Sequence, residues 1–234
     1  MTERLVIAVD GPAGSGKSSA ARGVARALGL RYLDTGAMYR ALTWWLLSRG
    51  LDTADPETVA RHTAEPVIEV GVDPAAPGIT VDGMDVAGPI RTRQVSNAVS
   101  AVASVPQVRE HLIAQQREII RRHAGPGGGI VAEGRDIGTV VAPDALVKVF
   151  LTASEEVRAH RRSTDPAADP GATTAVTQRE QDRRDRADAP QTVMAADAVK
   201  IDSSGLGLAE VVGLITGIVR ERTGDARTDA ARAG

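Results

Sequence analysis

Cysteine is absent from the 234 residues of the chain, and only four histidines are present. Without cysteine the chain can form no disulfide, carries no thiolate nucleophile and offers no thiolate ligand to zinc. The histidines lack the spacing typical of metal ligands, and we expect them to be surface or hydrogen-bonded side chains: His62, His111, His123 and His160. Disulfide-stabilised folds and cysteine-dependent chemistry are therefore excluded.

Aromatic side chains make up only 2% of the sequence, and the formal net charge is −2. Single-stranded nucleic acids are bound by stacked aromatic rings along a basic groove, and duplexes by clusters of lysine and arginine. A weakly acidic chain with few aromatics builds neither surface, so we expect no nucleic-acid partner. We expect Trp44 and Trp45 to pack in the interior.

Long apolar runs are missing too. None approaches the roughly 20 residues that cross a bilayer, and the run at residues 5–9 is too short for the core of a signal peptide. We therefore expect no membrane association and a cytoplasmic location. An apolar content of 42% suffices for one α/β domain, which we place at residues 1–222, with a flexible tail at 223–234.

The most informative segment that is present reads GPAGSGKS, the pattern G-x-x-x-x-G-K-S, directly after an apolar run. In this pattern backbone N–H groups of a glycine-rich loop surround a phosphate at a helix N-terminus, Lys17 reaches the outer phosphates, and Ser18 offers its hydroxyl to Mg²⁺. The sequence therefore predicts a site for ATP and Mg²⁺. We call residues 11–19 the phosphate-binding loop: Gly11, Pro12, Ala13, Gly14, Ser15, Gly16, Lys17, Ser18 and Ser19.

Strands alternate with helices along most of the chain. The patterns predict strands at residues 5–9, 31–34, 130–132, 145–151 and 199–201, and helices at about 17–28, 35–47, 106–123 and 208–222. This alternation is typical of a doubly wound parallel sheet between two helical layers. Five prolines and a central Asp-Gly turn predict a small β-rich insertion at residues 52–91, and residues 164–177 read as a mobile loop.

Acidic residues follow three of the predicted strands, at Asp10, Asp34 and Glu133, and Asp136 stands three residues beyond the last of these. Ligands of such sheets bind beyond the carboxyl ends of the strands, so these carboxylates are candidates to line one crevice. The alternative is that Asp34 and Thr35 only cap the following helix.

Arginines supply the opposite charge. Arg40 lies about one turn inside a predicted helix, Arg135 follows a strand end, and others flank the mobile loop: Arg158, Arg161, Arg162, Arg179, Arg183, Arg184 and Arg186. Arginines carried by a closing lid neutralise charge on a phosphoryl group in transfer. The alternative is a solvated surface of salt bridges, because acidic residues are interleaved with the arginines around the loop.

Several segments of the chain resemble those of a known protein family. The segment DTGAMYR at residues 34–40 resembles the D-[ST]-G-x-x-[YF]-R segment of nucleoside monophosphate kinases. Residues 90–92, 95–97, 100, 108–110 and 134–141 resemble bacterial cytidylate kinases. The likeness covers roughly residues 4–220 and includes the insertion, which in that family forms part of the monophosphate-binding region.

The resemblance implies ATP-dependent phosphorylation of CMP and dCMP by a monomer, with an insertion at about 52–95 and a lid at about 153–190. It implies catalytic roles for Lys17, Arg158, Arg162 and Asp185. It implies that the acceptor is held by Asp34, Thr35, Arg40, Ser100, Arg109, Arg135, Asp136, Arg179, Asp185 and Arg186.

The chemistry of cytosine agrees with these residue types. Asp136 can accept the amino proton on N4, and Arg109 and Ser100 can donate to N3 and O2. Arg40 and Arg135 suit the phosphate, because a guanidinium pairs with two oxygens at once. In the lid, Asp182 and Asp185 match the family's D-x-x-D, whereas the flanking arginines are shifted.

Two rival functions remain at the level of sequence. A kinase of another small acceptor, UMP or a shikimate-like metabolite, would share the loop and the arginines but would not need the insertion. A GTPase switch would need the guanine-reading N-K-x-D, and the nearest segment is VKID at residues 199–202, where valine replaces the asparagine.

Overall fold

The structure is a computed structural model that describes residues 5–125, 127–163, 186–187 and 189–232, with side chains except at 162–163 and 225–232. The expected mobile loop at 164–177 lies outside the described residues. The strands are β1 (Leu5–Asp10), β2 (Arg31–Asp34), β3 (Ile68–Val70), β4 (Ile79–Val81), β5 (Met84–Asp85), β6 (Gly129–Gly134), β7 (Val147–Thr152) and β8 (Val199–Asp202). The helices are α1 (Lys17–Leu28), α2 (Thr35–Ser48), α3 (Pro56–His62), α4 (Arg93–Ser104), α5 (Pro106–His123), α6 (Glu155–Ser163) and α7 (Leu208–Arg232).

The central sheet has five parallel strands in the order β2-β6-β1-β7-β8. Side chains along β1 alternate between two apolar clusters. Val6 and Ala8 pack on one face with α2, α4 and α5. Ile7 and Val9 pack on the other face with α1 and α7. The predicted parallel sheet between two helical layers is confirmed.

For several helices and strands the sequence predicted the first and last residues correctly. The predicted bounds of α1, β2 and α5 match the structure, and Gly29 ends α1 in the left-handed conformation at φ 67°. Helix α7 runs on to Arg232, past the predicted end at Arg222. That the end of the chain is flexible stays a prediction.

The insertion contains the predicted hairpin. Strands β3, β4 and β5 form an antiparallel sheet, and Asp82 and Gly83 turn between the last two at φ 51° and 80°, as a type I′ turn requires. The Asp82 carboxylate accepts hydrogen bonds from Nε1 of the buried Trp45 and from the backbone N–H of Val67. These bonds fasten the insertion to α2.

The interpretation of residues 52–91 as wholly β-rich was incomplete, because the region also contains α3. Asp55 caps that helix by accepting hydrogen bonds from the N–H groups of Glu57 and Thr58, and Pro56 occupies its first turn. Helix α4, which no pattern predicted, begins after Thr92. Helix α3 has only seven residues, so tertiary packing rather than apolar periodicity defines it. Helix α4 has 12 residues and buries Val95 and Val102 on one face.

The insertion also contacts the edge of the central sheet. The N–H of Tyr32, on the edge strand β2, donates to the carbonyl of Val72 at 2.9 Å. Arg22 and Arg26 on α1 donate to the carbonyl of Pro74. Across the residues that the structure describes, no helix combines the length and apolar character needed to cross a bilayer.

Candidate active site

The phosphate-binding loop leaves β1 through a close backbone approach. A Cβ at Gly11 would lie 2.0 Å from the carbonyl oxygen of Leu151 on β7, so only glycine fits there. Gly14 and Gly16 have φ values of 77° and 86°, a conformation that side chains other than glycine rarely adopt. The backbone path of the loop therefore depends on its glycines.

Helix α1 begins at Lys17 with its N-terminus in the loop. Gly16 caps the helix without a side chain, so backbone N–H groups at this end are available to an anion. The ammonium of Lys17 donates to the carbonyl of Pro12 at 3.3 Å, which holds it over the loop. This arrangement suits a polyphosphate.

The carboxyl ends of the central strands bring the acidic residues together. Asp10 lies opposite Gly134, and Asp34 opposite Glu133, in the pairing of β1, β2 and β6. Glu133 is 2% exposed and accepts a hydrogen bond from the Tyr32 hydroxyl at 2.9 Å. The sequence predicted that Glu133 lines the crevice but gave it no specific chemical role, and Glu133 does line the cleft.

Burial raises the pKa of Glu133 to about 7, and the nearby Asp34 carboxylate acts in the same direction. The Lys17 ammonium and a hydrogen bond from Ser18 act in the opposite direction. The Glu133 carboxyl therefore lies among the loop residues expected to bind phosphate and metal, and a bound cation would favour its ionised form.

We expect Glu133 to make the ligand-free protein less stable as the pH rises from 4.5 to 7. Folded Glu133 keeps its proton up to about pH 7, whereas the unfolded side chain releases it near 4.5. The folded state binds more protons in this window, so the free energy of unfolding falls with rising pH, by on the order of 3 kcal/mol. Glu133→Gln should remove this loss.

Thermal unfolding from pH 4 to 8 measures the difference. The Tm of Glu133→Gln should match that of the wild type near pH 4.5 and exceed it at pH 8. Glu118→Gln is a control whose profile should run parallel to that of the wild type above pH 5, because hydrogen bonds from Arg121 and Arg122 lower the pKa of Glu118 to about 2 and this carboxyl is then ionised in both states. Parallel pH profiles for Glu133→Gln and the wild type would contradict the assignment.

Asp34 and Thr35 serve the local structure and also line the cleft. Asp34 caps α2 by accepting a hydrogen bond from the N–H of Ala37 at 2.9 Å, as the capping alternative predicted. The Thr35 hydroxyl donates to the carbonyl of Glu133 at 2.7 Å, which fixes α2 against β6. Asp34 and Thr35 can therefore stabilise the start of α2 and also line the cleft.

The expected base-reading residues lie together on the other side of the cleft. Arg109 on α5 pairs with the carboxylate of Asp136, which follows β6. Arg40 on α2 donates to the Ser96 hydroxyl at 2.9 Å and so points toward α4. Arg135 lies near the phosphate-binding loop, with a long contact of 3.5 Å to the carbonyl of Gly11.

One cleft of about 1060 Å³ joins the two sides. Its lining includes the phosphate-binding loop from Ala13 onward and the predicted acceptor residues Asp34, Thr35, Arg40, Ser100, Arg109, Arg135 and Asp136. A volume of this size lies at the upper end for small-molecule sites, and it suits two ligands bound side by side. Residues distant in sequence thus meet in a single space.

The arginines of α6 occupy different positions. Arg158 is buried and donates to the carbonyls of Ala153 and Ala13, so it braces the phosphate-binding loop from behind. Arg161 lines the cleft and donates to the carbonyl of Ser15 and to Ser203 beyond β8. The sequence placed Arg161 only among the arginines around the predicted lid, and it did not single out Ser203. The position of Ser203 just after a strand end was the available signal.

The remaining predicted lid residues are only partly described. Arg162 belongs to α6, and its side chain lies outside the described part. Arg179 and Asp185 lie outside the described residues. Arg186 is exposed, and it does not contribute to the cleft lining within the part of the chain that the structure describes. Their contacts to substrate stay predictions.

Several known proteins with similar sequences are described as cytidylate kinases. The family model described as cytidylate kinase matches residues 7–221. A cytidylate kinase from Streptomyces griseus subsp. griseus is 50% identical over 219 residues, which cover 92% of each chain. A cytidylate kinase from Rhodococcus opacus is 47% identical over 228 residues, covering 95% of this chain and 98% of the relative.

Solved structures agree on the fold. A gluconokinase from Sinorhizobium meliloti 1021 superposes with a TM-score of 0.51 at 15% identity, covering 97% of this chain and 99% of that one. At this identity the similarity supports the α/β fold alone.

Proposed function

The chain belongs to the cytidylate kinase family, and we propose on that premise that it transfers the γ-phosphoryl group of ATP to CMP and dCMP. The observation that carries the proposal is the single cleft, which joins the phosphate-binding loop to the Arg109–Asp136 pair. A kinase for a shikimate-like acceptor would have no use for a pair that matches the edge of cytosine.

On the donor side, the phosphate-binding loop and the N-terminus of α1 hold the phosphates of ATP. Lys17 reaches the outer phosphates, where charge shifts during transfer. Arg158 keeps the loop in place through the carbonyl of Ala13, and Arg161 does so through the carbonyl of Ser15. Phosphoryl transfer requires that donor and acceptor phosphates stay aligned, and these two arginines hold the loop that positions the donor.

On the acceptor side, Asp136 accepts a hydrogen bond from the N4 amino group, and Arg109 and Ser100 donate to the rest of the base edge. Arg40 and Arg135 bind the monophosphate, for which Arg40 exchanges part of its contact with Ser96. The monophosphate oxygen is already anionic, so the reaction needs alignment rather than a strong base. No covalent intermediate with the protein is involved.

Oxygen atoms that suit Mg²⁺ lie near Ser18, at the end of the phosphate-binding loop. The Ser18 hydroxyl and the Glu133 carboxylate interact with one another, and Asp34 lies opposite Glu133 across the strand pair. Magnesium is commonly held by one or two carboxylates together with substrate phosphates, so this donor set fits. When bound, the ion neutralises charge on the phosphates.

We expect Glu133→Gln to raise the Mg²⁺ concentration for half-maximal activity about tenfold, because an amide replaces the only fully buried carboxylate beside Ser18 in the described part of the site. Titration of ADP formation with Mg²⁺ measures this. Asp202→Asn is the matched control, since Asp202 also ends a strand but is exposed and bonded to Ser204. An unchanged requirement for Mg²⁺ in Glu133→Gln would exclude it as a ligand.

The function is tested by measuring ADP release with Mg²⁺, ATP and each of CMP, dCMP, UMP, AMP, GMP and shikimate. Turnover with CMP and dCMP far above the others supports the proposal. Turnover only with another acceptor would keep a kinase and overturn the base-reading roles of Ser100, Arg109 and Asp136.

We further propose that the protein works as a monomer in the cytoplasm, with residues of about 153–190 closing over the cleft. The lack of long apolar runs in the sequence supports this location, and the arginines around α6 support closure. Light scattering of the protein with and without nucleotides tests the oligomeric state.

A further inference from the structure

Asp10 is a buried carboxylate at the end of β1, and the expectation that it lines the crevice with Asp34 and Glu133 was wrong, because the cleft lining does not include it. Its two oxygens are both used. Oδ1 accepts a hydrogen bond from the N–H of Ile137, and Oδ2 accepts one from the N–H of Gly138, each at 2.8 Å. Asp10 is therefore bonded to a segment 127 residues away that follows β6.

That segment carries two of the predicted substrate residues. Arg135 and Asp136 directly precede a π-helical turn at Ile137–Val141. The first N–H groups of a helical turn have no acceptor within it, and Asp10 supplies one to each of two such groups. With the backbone fixed at 137 and 138, the side chain of Asp136 is aimed at Arg109.

The packing around this contact leaves little freedom. A Cβ at Gly138 would lie 3.3 Å from Oδ2 of Asp10 and 3.2 Å from Cδ of Lys148. Asp10 also directly precedes Gly11, whose carbonyl receives the long contact from Arg135. One carboxylate thus joins the start of the phosphate-binding loop to the segment that presents Arg135 and Asp136.

We propose that Asp10 is a positioning residue for recognition of the acceptor nucleotide: it holds Arg135 and Asp136 in place through the backbone and touches neither nucleotide. The inference rests on the proposed function for the roles of those two residues. The backbone contact itself does not depend on that function.

The ionisation of Asp10 sets the conditions for a test. Burial raises its pKa to about 6; the hydrogen bonds from Gly138 and Ile137 act against this, Asp136 adds to it and Lys17 opposes it. Above pH 7.5 the side chain is therefore a carboxylate that can accept both hydrogen bonds. Kinetics at pH 8 compare the charged wild type with its neutral isostere.

Asp10→Asn loses one of the two hydrogen bonds, because its amide nitrogen faces an N–H group, and the bond that remains to its oxygen is no longer charge-assisted. We expect KM for CMP to rise about tenfold or more, while KM for ATP changes less than twofold. The amides of Ile137 and Gly138 should exchange with solvent about tenfold faster.

Gly138→Ala crowds the carboxylate without removing it, and it should raise KM for CMP in the same direction.

Val9→Ala is the matched control, because Val9 is the buried neighbour of Asp10 on β1 and packs toward α1 and α7. It should lower Tm without changing KM for CMP. An equal rise in KM for both nucleotides, or for CMP in Val9→Ala, would overturn the proposal, as would unchanged exchange at 137 and 138. If the wild type does not phosphorylate CMP, the proposed function fails, and amide exchange still decides whether Asp10 holds the segment.

Discussion

Lys17→Met should lower kcat for phosphorylation of CMP by about 10³-fold or more, with the fold unchanged. The ammonium is the only lysine charge at the phosphate-binding loop, and preorganised charges at a transferring phosphoryl group contribute rate factors of this order. The structural loss is small, because Lys17 is partly exposed and its bond to Pro12 is long. Single-turnover formation of CDP and ADP measures the effect.

The sequence offers a matched control, since it contains only Lys17, Lys148 and Lys200. Lys148 is unsuitable because it is buried and paired with Asp197. Lys200 is exposed on β8, so Lys200→Met removes the same charge far from the loop and should leave kcat unchanged. Circular dichroism and Tm report on the fold of both variants. Normal kcat in Lys17→Met would refute the assignment of the loop.

Local signals explain why so much of the fold was predictable. Three boundaries follow from residues that are adjacent in sequence. The glycine pattern marks the start of α1, Gly29 marks its end, and Pro106 marks the start of α5. The phosphate-binding loop is likewise a contiguous motif. Where the determinants of structure lie within one turn or one motif, the sequence alone was sufficient.

The parts that were missed depend on contacts between distant segments. Helix α3 has only seven residues and gains its stability from packing. Helix α4 is the exception, because Thr92 caps it and Val95 and Val102 lie on its buried face, a local pattern from which it was predictable. Arg161 was one of many arginines around the lid, and only the spatial approach of Ser15 and Ser203 distinguishes it. The hydrogen bonds between Asp10 and residues 137 and 138 cannot be predicted from the residue pattern around Asp10 or from the pattern around residue 137.

The acceptor site falls between these cases. Arg40, Arg109 and Asp136 were predicted through a resemblance, and the structure brings them to one cleft from α2, α5 and the end of β6. Spacing along the chain could not show that Arg109 pairs with Asp136, 27 residues away. Their roles toward cytosine stay predictions, which the following variant tests.

Asp136→Asn should lower kcat/KM for CMP about 100-fold, while KM for ATP changes less than twofold. The substitution removes the carboxylate that pairs with Arg109 and that accepts a hydrogen bond from the N4 amino group, and losing a charged hydrogen-bond partner has effects of this size. UMP carries an oxygen where CMP carries the amino group, and the asparagine amide can donate to it. The preference for CMP over UMP should therefore shrink.

Initial rates with CMP and UMP at saturating ATP, together with ATP titrations, separate the possible roles of Asp136. If KM for ATP rose as much as kcat/KM for CMP fell, Asp136 would act on the triphosphate or the metal instead. Asp202→Asn controls for loss of an acidic side chain near a strand end, because Asp202 is exposed and bonded locally to Ser204. A loss of CMP activity without any gain in relative use of UMP would mean that Asp136 acts through Arg109 rather than by reading the base itself.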